Sequence, residues 1–282
     1  MAVLEVSGLA KTFRIPEVHR NTVRDHALAL FRPRRFRDLP VLADVTFQLA
    51  KGETLAIMGR NGCGKSTLLK IIAGIYQADN GQFFWEGHPV QIHSPREAAR
   101  LGIETVYQDL ALADNLDIVQ NMFLGRERVH NGLLDEDDME RAAGKTLSSL
   151  RVTTVRSIRQ PVASLSGGQR QSVAVAKAVM WNLKLVMLDE PTAALGVVQT
   201  KMVLDLVRRL RDRGLAVMMI SHNLNDVFEV ADRIAVLYLG RMVAQDRTSS
   251  MDRQRVVDYM TTGGSSRAGR PANGEATTDG AG

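Results

Sequence analysis

Residues 52–74, GETLAIMGRNGCGKSTLLKIIAG, limit the folds open to this chain more than any other stretch. An apolar run at 55–58 predicts a buried strand, and the amphipathic pattern at 66–73 predicts a helix. Between them, a glycine is followed by four residues and then by glycine, lysine and serine, which is the spacing of a phosphate-binding P-loop. The loop residues are Gly59, Asn61, Gly62, Gly64, Lys65, Ser66 and Thr67. Strand, loop and helix in this order predict an α/β fold that binds phosphates.

The residue types of the loop suit this chemistry. Glycines let successive backbone N–H groups surround phosphate oxygens, and the helix N-terminus adds partial positive charge. We expect Lys65 to reach the β- and γ-phosphates and Ser66 to supply a ligand to Mg²⁺. The alternative is a glycine-rich turn with an unrelated lysine, which leaves the flanking strand and helix unexplained. We expect Cys63 to be a structural side chain, with positive surroundings that would lower its pKa.

Composition and charge argue against a membrane-spanning, a secreted or a nucleic-acid-binding protein. The longest apolar runs, 215–220 and 234–239, have six residues each, whereas a bilayer span needs about 20. No secretory signal is visible at the N-terminus, and a single cysteine fits a reducing compartment. Most of the net charge of +5 comes from residues 14–40, where seven arginines face three acids. The basic character belongs to that segment and does not indicate nucleic-acid binding.

The order of patterns predicts one domain over residues 1–262 and a tail. β-like runs with turn residues come first and predict an antiparallel β portion. The composition of residues 109–180 predicts an inserted helical subdomain. Later helices alternate with short apolar strands, as in a parallel sheet covered by helices. Residues 263–282 are rich in small residues and poor in apolar ones, which predicts disorder.

Two adjacent acids follow an apolar run in LVMLDEPTAALG, residues 185–196. Carboxylates at the end of a buried strand are costly unless something uses them. In P-loop ATPases an Asp in this position holds Mg²⁺, and a following Glu orients and deprotonates the attacking water. Asp189 and Glu190 fit these two roles. The alternative is a solvated acidic turn, which the four preceding apolar residues disfavour.

A second glycine-rich helix start lies at residues 165–169, LSGGQ. Ser166 occupies a capping position, and the two glycines after it expose backbone N–H groups. Such a helix N-terminus attracts anions. The P-loop already surrounds the phosphates of its own nucleotide, so the residues alone leave the role of LSGGQ open.

Together these elements resemble the ATP-binding cassette (ABC) family. GRNGCGKST, the glutamine of VYQDL, LSGGQ, LVMLDEP and the histidine of ISH follow the family's order, and the resemblance covers about residues 3–245. It implies a P-loop NTPase (RecA-like) core with an antiparallel β subdomain and a helical signature subdomain. It also implies hydrolysis of ATP with Mg²⁺ by a head-to-tail dimer, in which the signature of one subunit contacts the γ-phosphate held by the other.

The resemblance assigns further residues. Gln108 would contact Mg²⁺ and the attacking water, and His222 would bind the γ-phosphate and position Glu190. Phe13 is the best candidate for stacking on adenine, the alternative being a core phenylalanine. The signature residues expected to act on the partner's nucleotide are Ser166, Gly167, Gly168 and Gln169.

Two branches of the family are matched by different parts of the chain. Residues 89–245 resemble the ATP-binding subunits of bacterial ribose, xylose and fructose importers, which implies separate transmembrane permease subunits and an extracytoplasmic sugar-binding protein. The subunit would then lie at the cytoplasmic face of the membrane. The N-terminal quarter resembles ATPases that export polysaccharides such as teichoic acid or O-antigen. We favour the importer because its matches span the helical subdomain, where a membrane partner is recognised.

The segment 14–40 and Gly196 depart from the common pattern. Within 14–40 we predict a short amphipathic helix followed by an arginine cluster, suited to an anionic membrane surface or a membrane subunit; a solvated basic loop is the alternative. Most of the family has an Asp where this chain has Gly196, and that Asp contacts the partner subunit. Coupling between the two nucleotide sites of the dimer would therefore be weaker here or use backbone groups. A soluble ABC ATPase of translation or DNA repair usually has paired cassettes or long coiled coils, and a simple P-loop kinase does not explain LSGGQ.

Overall fold

The computed structural model describes residues 2–16, 36–152, 155–181 and 183–264. The strands are β1 (Ala2–Pro16), β2 (Phe36–Ala50), β3 (Thr54–Met58), β4 (Asn80–Trp85), β5 (His88–Val90), β6 (Ile103–Val106), β7 (Val129–His130), β8 (Leu133–Leu134), β9 (Leu185–Asp189), β10 (Ala216–Ile220), β11 (Arg233–Tyr238) and β12 (Arg241–Arg247). The helices are α1 (Lys65–Ile72), α2 (Pro95–Leu101), α3 (Ile118–Phe123), α4 (Glu136–Ser149), α5 (Gly167–Val179), α6 (Val197–Asp212), α7 (Leu224–Val230) and α8 (Arg253–Thr262).

A six-stranded sheet forms the centre of the fold. Its order is β12-β11-β3-β10-β9-β6, parallel throughout except for the antiparallel edge pair β11 and β12. Strands β3 and β10 are fully buried, which explains their continuous apolar sequences. The predicted α/β fold is confirmed. Because β3, β6, β9 and β10 run in the same direction, the residues that follow them meet at one edge.

A four-stranded antiparallel sheet of order β2-β1-β4-β5 is formed within residues 2–90, with β3 and α1 between β2 and β4 in sequence. In β2 the side chains of Val45, Phe47 and Leu49 are buried while their neighbours are exposed or partly exposed, because one face packs on the core and the other meets water. The antiparallel β portion is thus present. The buried face packs against α1, so this sheet supports the phosphate-binding loop.

The ends of the basic segment 14–40 are strand. β1 and β2 stay paired as a two-stranded ribbon, with Arg14 opposite Asp38 and Ile15 opposite Arg37. Residues 14–16 and 36–40 therefore extend the sheet. The amphipathic helix and most of the arginine cluster predicted from the sequence lie outside the described residues.

Helices α3, α4 and α5 fall within the range predicted as helical, about 109–180. They pack through one apolar cluster that includes Ile118, Phe123, Ala143 and Leu147. The prediction missed a small hairpin, β7 and β8, because strands of two residues carry no measurable alternation.

The C-terminal helix α8 lies beside β11, with Val256 fully buried. It ends at Gly263, whose left-handed backbone closes the helix. The rest of the tail predicted to be disordered, from residue 265, lies outside the described residues. Within the described ranges, none of the helices combines the length and the apolar character needed to span a bilayer.

Candidate active site

The phosphate-binding loop lies between β3 and α1, as the sequence predicts. Gly64 has φ +109°, and a Cβ atom there would lie 2.9 Å from the carbonyl oxygen of Val41 and 2.7 Å from Leu42 Cδ2. Only glycine combines that backbone conformation with so close an approach. The loop is therefore held against β2. Asn61, Gly62 and Ser66 remain exposed at its surface.

Lys65 crosses the loop from within. Its ammonium donates hydrogen bonds to the carbonyl oxygens of Gly59, at 2.6 Å, and Arg60, at 3.1 Å. The residue is buried, and a buried ammonium needs such acceptors. The bonds place its charge inside the curve of the loop, where phosphate oxygens would bind.

Cys63 does not have the lowered pKa that we expected. The thiol is buried, and burial raises its pKa, although the positive charge of Lys65 acts in the opposite direction. Desolvation of the thiolate outweighs the attraction, so the residue is a structural side chain.

Asp189 ends β9 beside the loop and is hydrogen-bonded to Ser66. Burial raises the pKa of its carboxyl group, and the charge of Glu190 raises it further; Lys65 and Lys70 partly offset this. The two lysines thus stabilise the ionised form of Asp189 only in part. A cation would relieve the repulsion between the carboxylates of Asp189 and Glu190. In the part of the chain described by the structure, no three His, Cys, Asp or Glu side chains form a metal site of their own.

Glu190 and His222 form a pair next to Asp189. His222 Nδ1 lies 2.8 Å from Glu190 Oε2, and the backbone N–H of His222 donates to the same oxygen at 3.4 Å. The Glu190 side chain is 14% exposed and that of His222 is 62% exposed. The pair links the ends of β9 and β10.

The backbone of Glu190 is in the left-handed region, with φ +50°. Its N–H donates to the carbonyl oxygen of Ile220 at 2.9 Å, which ties it to the end of β10. A non-glycine residue rarely adopts this conformation, and such residues cluster at functional sites.

Gln108 follows β6 at the same edge of the sheet. Strand β6 pairs with β9, Val106 opposite Leu188, so Gln108 lies on the side of the sheet that carries Asp189. It is exposed. The strand order brings Gln108 to the same edge as the acids.

The signature residues start α5, at a distinct surface. Ser166 caps the helix: its hydroxyl accepts from Gln169 N at 3.4 Å, and Gln169 Oε1 accepts from Ser166 N at 2.8 Å. Ser166 and Gly167 are exposed, whereas Gly168 is buried. The helix N-terminus therefore faces outward and is available to a group from another molecule.

Phe13 is half-buried and lies at the base of the ribbon, so it is not a core residue. Its ring meets Tyr76 edge to face at 5.4 Å between centroids, and Lys11 Nζ lies 5.4 Å from the ring centre. The sequence reasoning missed Tyr76, although an aromatic residue shortly after α1 was a visible signal. Phe13 and Tyr76 form an aromatic surface beside α1.

Fold and site define a P-loop ATPase of the cassette type, with a phosphate loop, two acids and a histidine at one sheet edge. The family profile described as ABC transporter matches residues 42–193, more than half of the chain. The chain belongs to the ABC transporter family.

Among curated proteins, the chain is 46% identical over 235 residues to the fructose import ATP-binding protein FrcA of Rhizobium meliloti, covering 81% of this chain and 90% of that protein. It is 43% identical over 227 residues to the xylose/arabinose import ATP-binding protein XylG of Sulfolobus acidocaldarius, covering 80% and 90%.

Solved structures support the fold. The ADP conformation of MJ1267, an ATP-binding cassette of an ABC transporter, matches with TM-score 0.72 at 23% identity, covering 93% of this chain and 96% of that one. A dimeric post-hydrolysis state of the cassette MJ0796 bound to ADP and Pi matches with TM-score 0.69 at 22% identity, covering 88% and 100%.

Proposed function

We propose that this chain hydrolyses ATP to drive import of a monosaccharide through separate transmembrane subunits. The observation that carries the ATPase is the contact between His222 and Glu190 beside the pair of Asp189 and Ser66. The import direction and the sugar class rest on the similarity, over four fifths of the chain, to a fructose and a xylose/arabinose import ATP-binding protein.

Each side chain has a role that follows from its position. Lys65 leaves its loop carbonyls and binds the β- and γ-phosphates, and the N–H groups around Gly62 and Gly64 surround the phosphate oxygens. Glu190 orients the attacking water and accepts its proton, while His222 holds the Glu190 carboxylate and reaches the γ-phosphate. Phe13 stacks on adenine.

Mg²⁺ fits at Ser66, Asp189 and Gln108, because the carboxyl group of Asp189 has a raised pKa and a neighbouring carboxylate. When bound, the ion neutralises charge that develops on the phosphate oxygens.

The outward-facing signature supports a dimer. Ser166 and Gly167 are exposed at the start of α5, where backbone N–H groups bind anions. A second copy placed head to tail would bring its phosphates to this helix start, and each ATP would lie between two chains.

A groove beside Gln108 suits a permease. It has a volume of about 280 Å³, and its apolar lining includes Tyr107, Met122 and Trp181. Its charged lining residues are Arg126, which pairs with Glu104 at 2.8 Å, and Lys177. Burial, and then the charge of Arg126, lower the pKa of Lys177. An apolar helix end with an acidic residue facing Lys177 would fill this groove, and Tyr107 would connect it to Gln108. The subunit would then lie at the cytoplasmic face, with a sugar-binding protein acting outside the membrane.

The test is uptake of radiolabelled fructose, xylose and ribose in a strain that lacks this chain. We expect loss of uptake of at least one sugar, restored by the wild-type chain and not by Lys65→Ala. Asp137→Asn is the control, because Asp137 is an exposed carboxylate on α4 far along the chain from the site motifs; it should restore uptake fully.

Two results would contradict the proposal. Unchanged uptake of all three sugars with loss of a surface polysaccharide would favour the exporter to which the N-terminal quarter is similar. Full restoration by Lys65→Ala would show that uptake does not depend on the phosphate loop of this chain.

A further inference from the structure

Two helix starts are packed against each other at the surface that carries the signature. A Cβ atom at Gly167 would lie 2.9 Å from Leu195 Cδ2. A Cβ atom at Gly168 would lie 2.9 Å from Gln199 Cβ, 3.2 Å from Gln199 Cγ and 3.3 Å from Gln199 Cα. The start of α5 is thus in direct contact with the start of α6, and glycine at position 168 makes the approach possible.

Gln199 joins these two segments with one side chain. Its Oε1 accepts a hydrogen bond from the backbone N–H of Gly196 at 3.1 Å, while its Cβ and Cγ lie over Gly168. The amide group of Gln199 therefore holds the backbone of Gly196, and the aliphatic part of the same side chain packs on the signature helix α5.

The segment between Glu190 and Gly196 is held by several bonds. Ala193 N donates to Glu190 O at 3.1 Å, and Leu195 N donates to Thr192 O at 3.3 Å. The buried hydroxyl of Thr192 donates to the buried Asp226 of α7 at 2.6 Å. A short, hydrogen-bonded turn therefore joins Glu190 to Gly196, the residue that Gln199 holds.

The solvent-facing side of the packed starts of α5 and α6 is apolar. Val197 is 89% exposed and Val198 is 75% exposed at the first turn of α6, next to the exposed Ser166 and Gly167. Large apolar side chains this exposed indicate a contact surface when they adjoin a functional one. A second copy of the chain, the partner in the proposed function, would cover them together with the signature.

We propose that Gln199 is a positioning residue that fixes the signature helix to the Glu190 turn, in place of a side chain at position 196. The inference rests on the proposed ATPase. It predicts that when the signature contacts a nucleotide held by the other copy, the position of the chain's own Glu190 responds. Gln199 couples the two through its packing on Gly168 and its hydrogen bond to the backbone of Gly196.

The test is steady-state ATP hydrolysis by purified Gln199→Ala, Gln199→Glu and Gln120→Ala. Gln120 is the matched control, because it accepts from Asp117 N at 3.1 Å in the same capping arrangement on α3. We expect Gln199→Ala to lower kcat about tenfold with KM for ATP changed less than about twofold. Gln199→Glu keeps the stem and an acceptor and should retain most of kcat, and Gln120→Ala should match the wild type.

A double-mutant cycle tests the stem contact separately. Gly168→Ala inserts a methyl group against Gln199, so it should lower kcat in the wild type and have a smaller effect in Gln199→Gly, where the opposing Cβ is absent. Equal effects in both backgrounds, or the same kcat for Gln199→Ala and Gln120→Ala, would overturn the inference. A wild-type chain that hydrolyses no ATP would instead contradict the proposed function.

Discussion

Two glycine-rich helix starts, at α1 and α5, have similar local chemistry and different surroundings. At α1, Gly64 is pressed against β2, and Lys65 is buried with hydrogen bonds to the loop's own carbonyls. At α5, Ser166 and Gly167 are exposed, and Ser166 and Gln169 exchange two capping hydrogen bonds. Both offer backbone N–H groups to an anion.

The comparison shows that burial and neighbours, not the motif, decide what each helix start does. The start of α1 has charged and titratable side chains around it, namely Lys65, Asp189, Glu190 and His222. The α5 end has donors and an open surface. Under the proposed function, the start of α1 would hold a nucleotide within one chain, whereas the start of α5 would bind a phosphate held by another chain.

The largest expected effect is the loss of ATP turnover when a side chain near the start of α1 is changed. Glu190→Gln should bind ATP as the wild type does and lower turnover by about 10² to 10⁴, because the amide cannot accept the proton of water. With ATP it should accumulate as a dimer, measured by size-exclusion chromatography with light scattering. Asp137→Asn is the control, and normal turnover in Glu190→Gln would remove this residue as the base.

The next prediction combines the two ends. Lys65→Ala damages only the start of α1, and Ser166→Glu places a negative charge at the exposed start of α5 without touching the contact between Gly168 and Gln199. Each alone should lose about 100-fold in hydrolysis. An equal mixture should recover about a quarter of wild-type activity, because half of the dimers would contain one intact composite site. A mixture as inactive as its components would show that both ends act within one chain.

The smallest expected effect is on thermal stability. It distinguishes the buried acid near the start of α1, Asp189, from an acid near the start of α5, Asp114. The pKa of Asp189 is raised by burial and by Glu190, so its favourable contribution exists below its unfolded pKa and is lost as the pH rises through its folded pKa. Asp189→Asn should therefore raise the melting temperature near neutral pH by about 2 °C and flatten its fall above pH 4.

The matched change at the α5 end is Asp114→Asn. Asp114 forms an exposed ion pair with Arg170 at 3.0 Å, and exposed pairs contribute about 0 to 1 kcal/mol. Differential scanning calorimetry from pH 4 to 8 compares the two. A lower melting temperature for Asp189→Asn at pH 7 would contradict the assigned cause of the raised pKa.

The order of motifs allowed much of this site to be predicted. Asp189, Glu190 and His222 follow apolar runs, and parallel strands bring such positions to one edge. The contact of Gln199 with Gly168 could not be predicted, because it depends on how two helices pack. The pKa of Cys63 was predicted in the wrong direction, because the nearby lysine is visible in the sequence and the degree of burial is not.

The internal hydrogen bonds of Lys65 have a consequence for the end of the reaction cycle. When phosphate leaves, the ammonium has two carbonyl acceptors at 2.6 and 3.1 Å within its own loop. In the proposed cycle, the departing product would therefore leave no unpaired buried charge behind it, which removes a cost that would otherwise slow its release. The same bonds would have to break when the next nucleotide binds, so they would weaken nucleotide binding and favour product release.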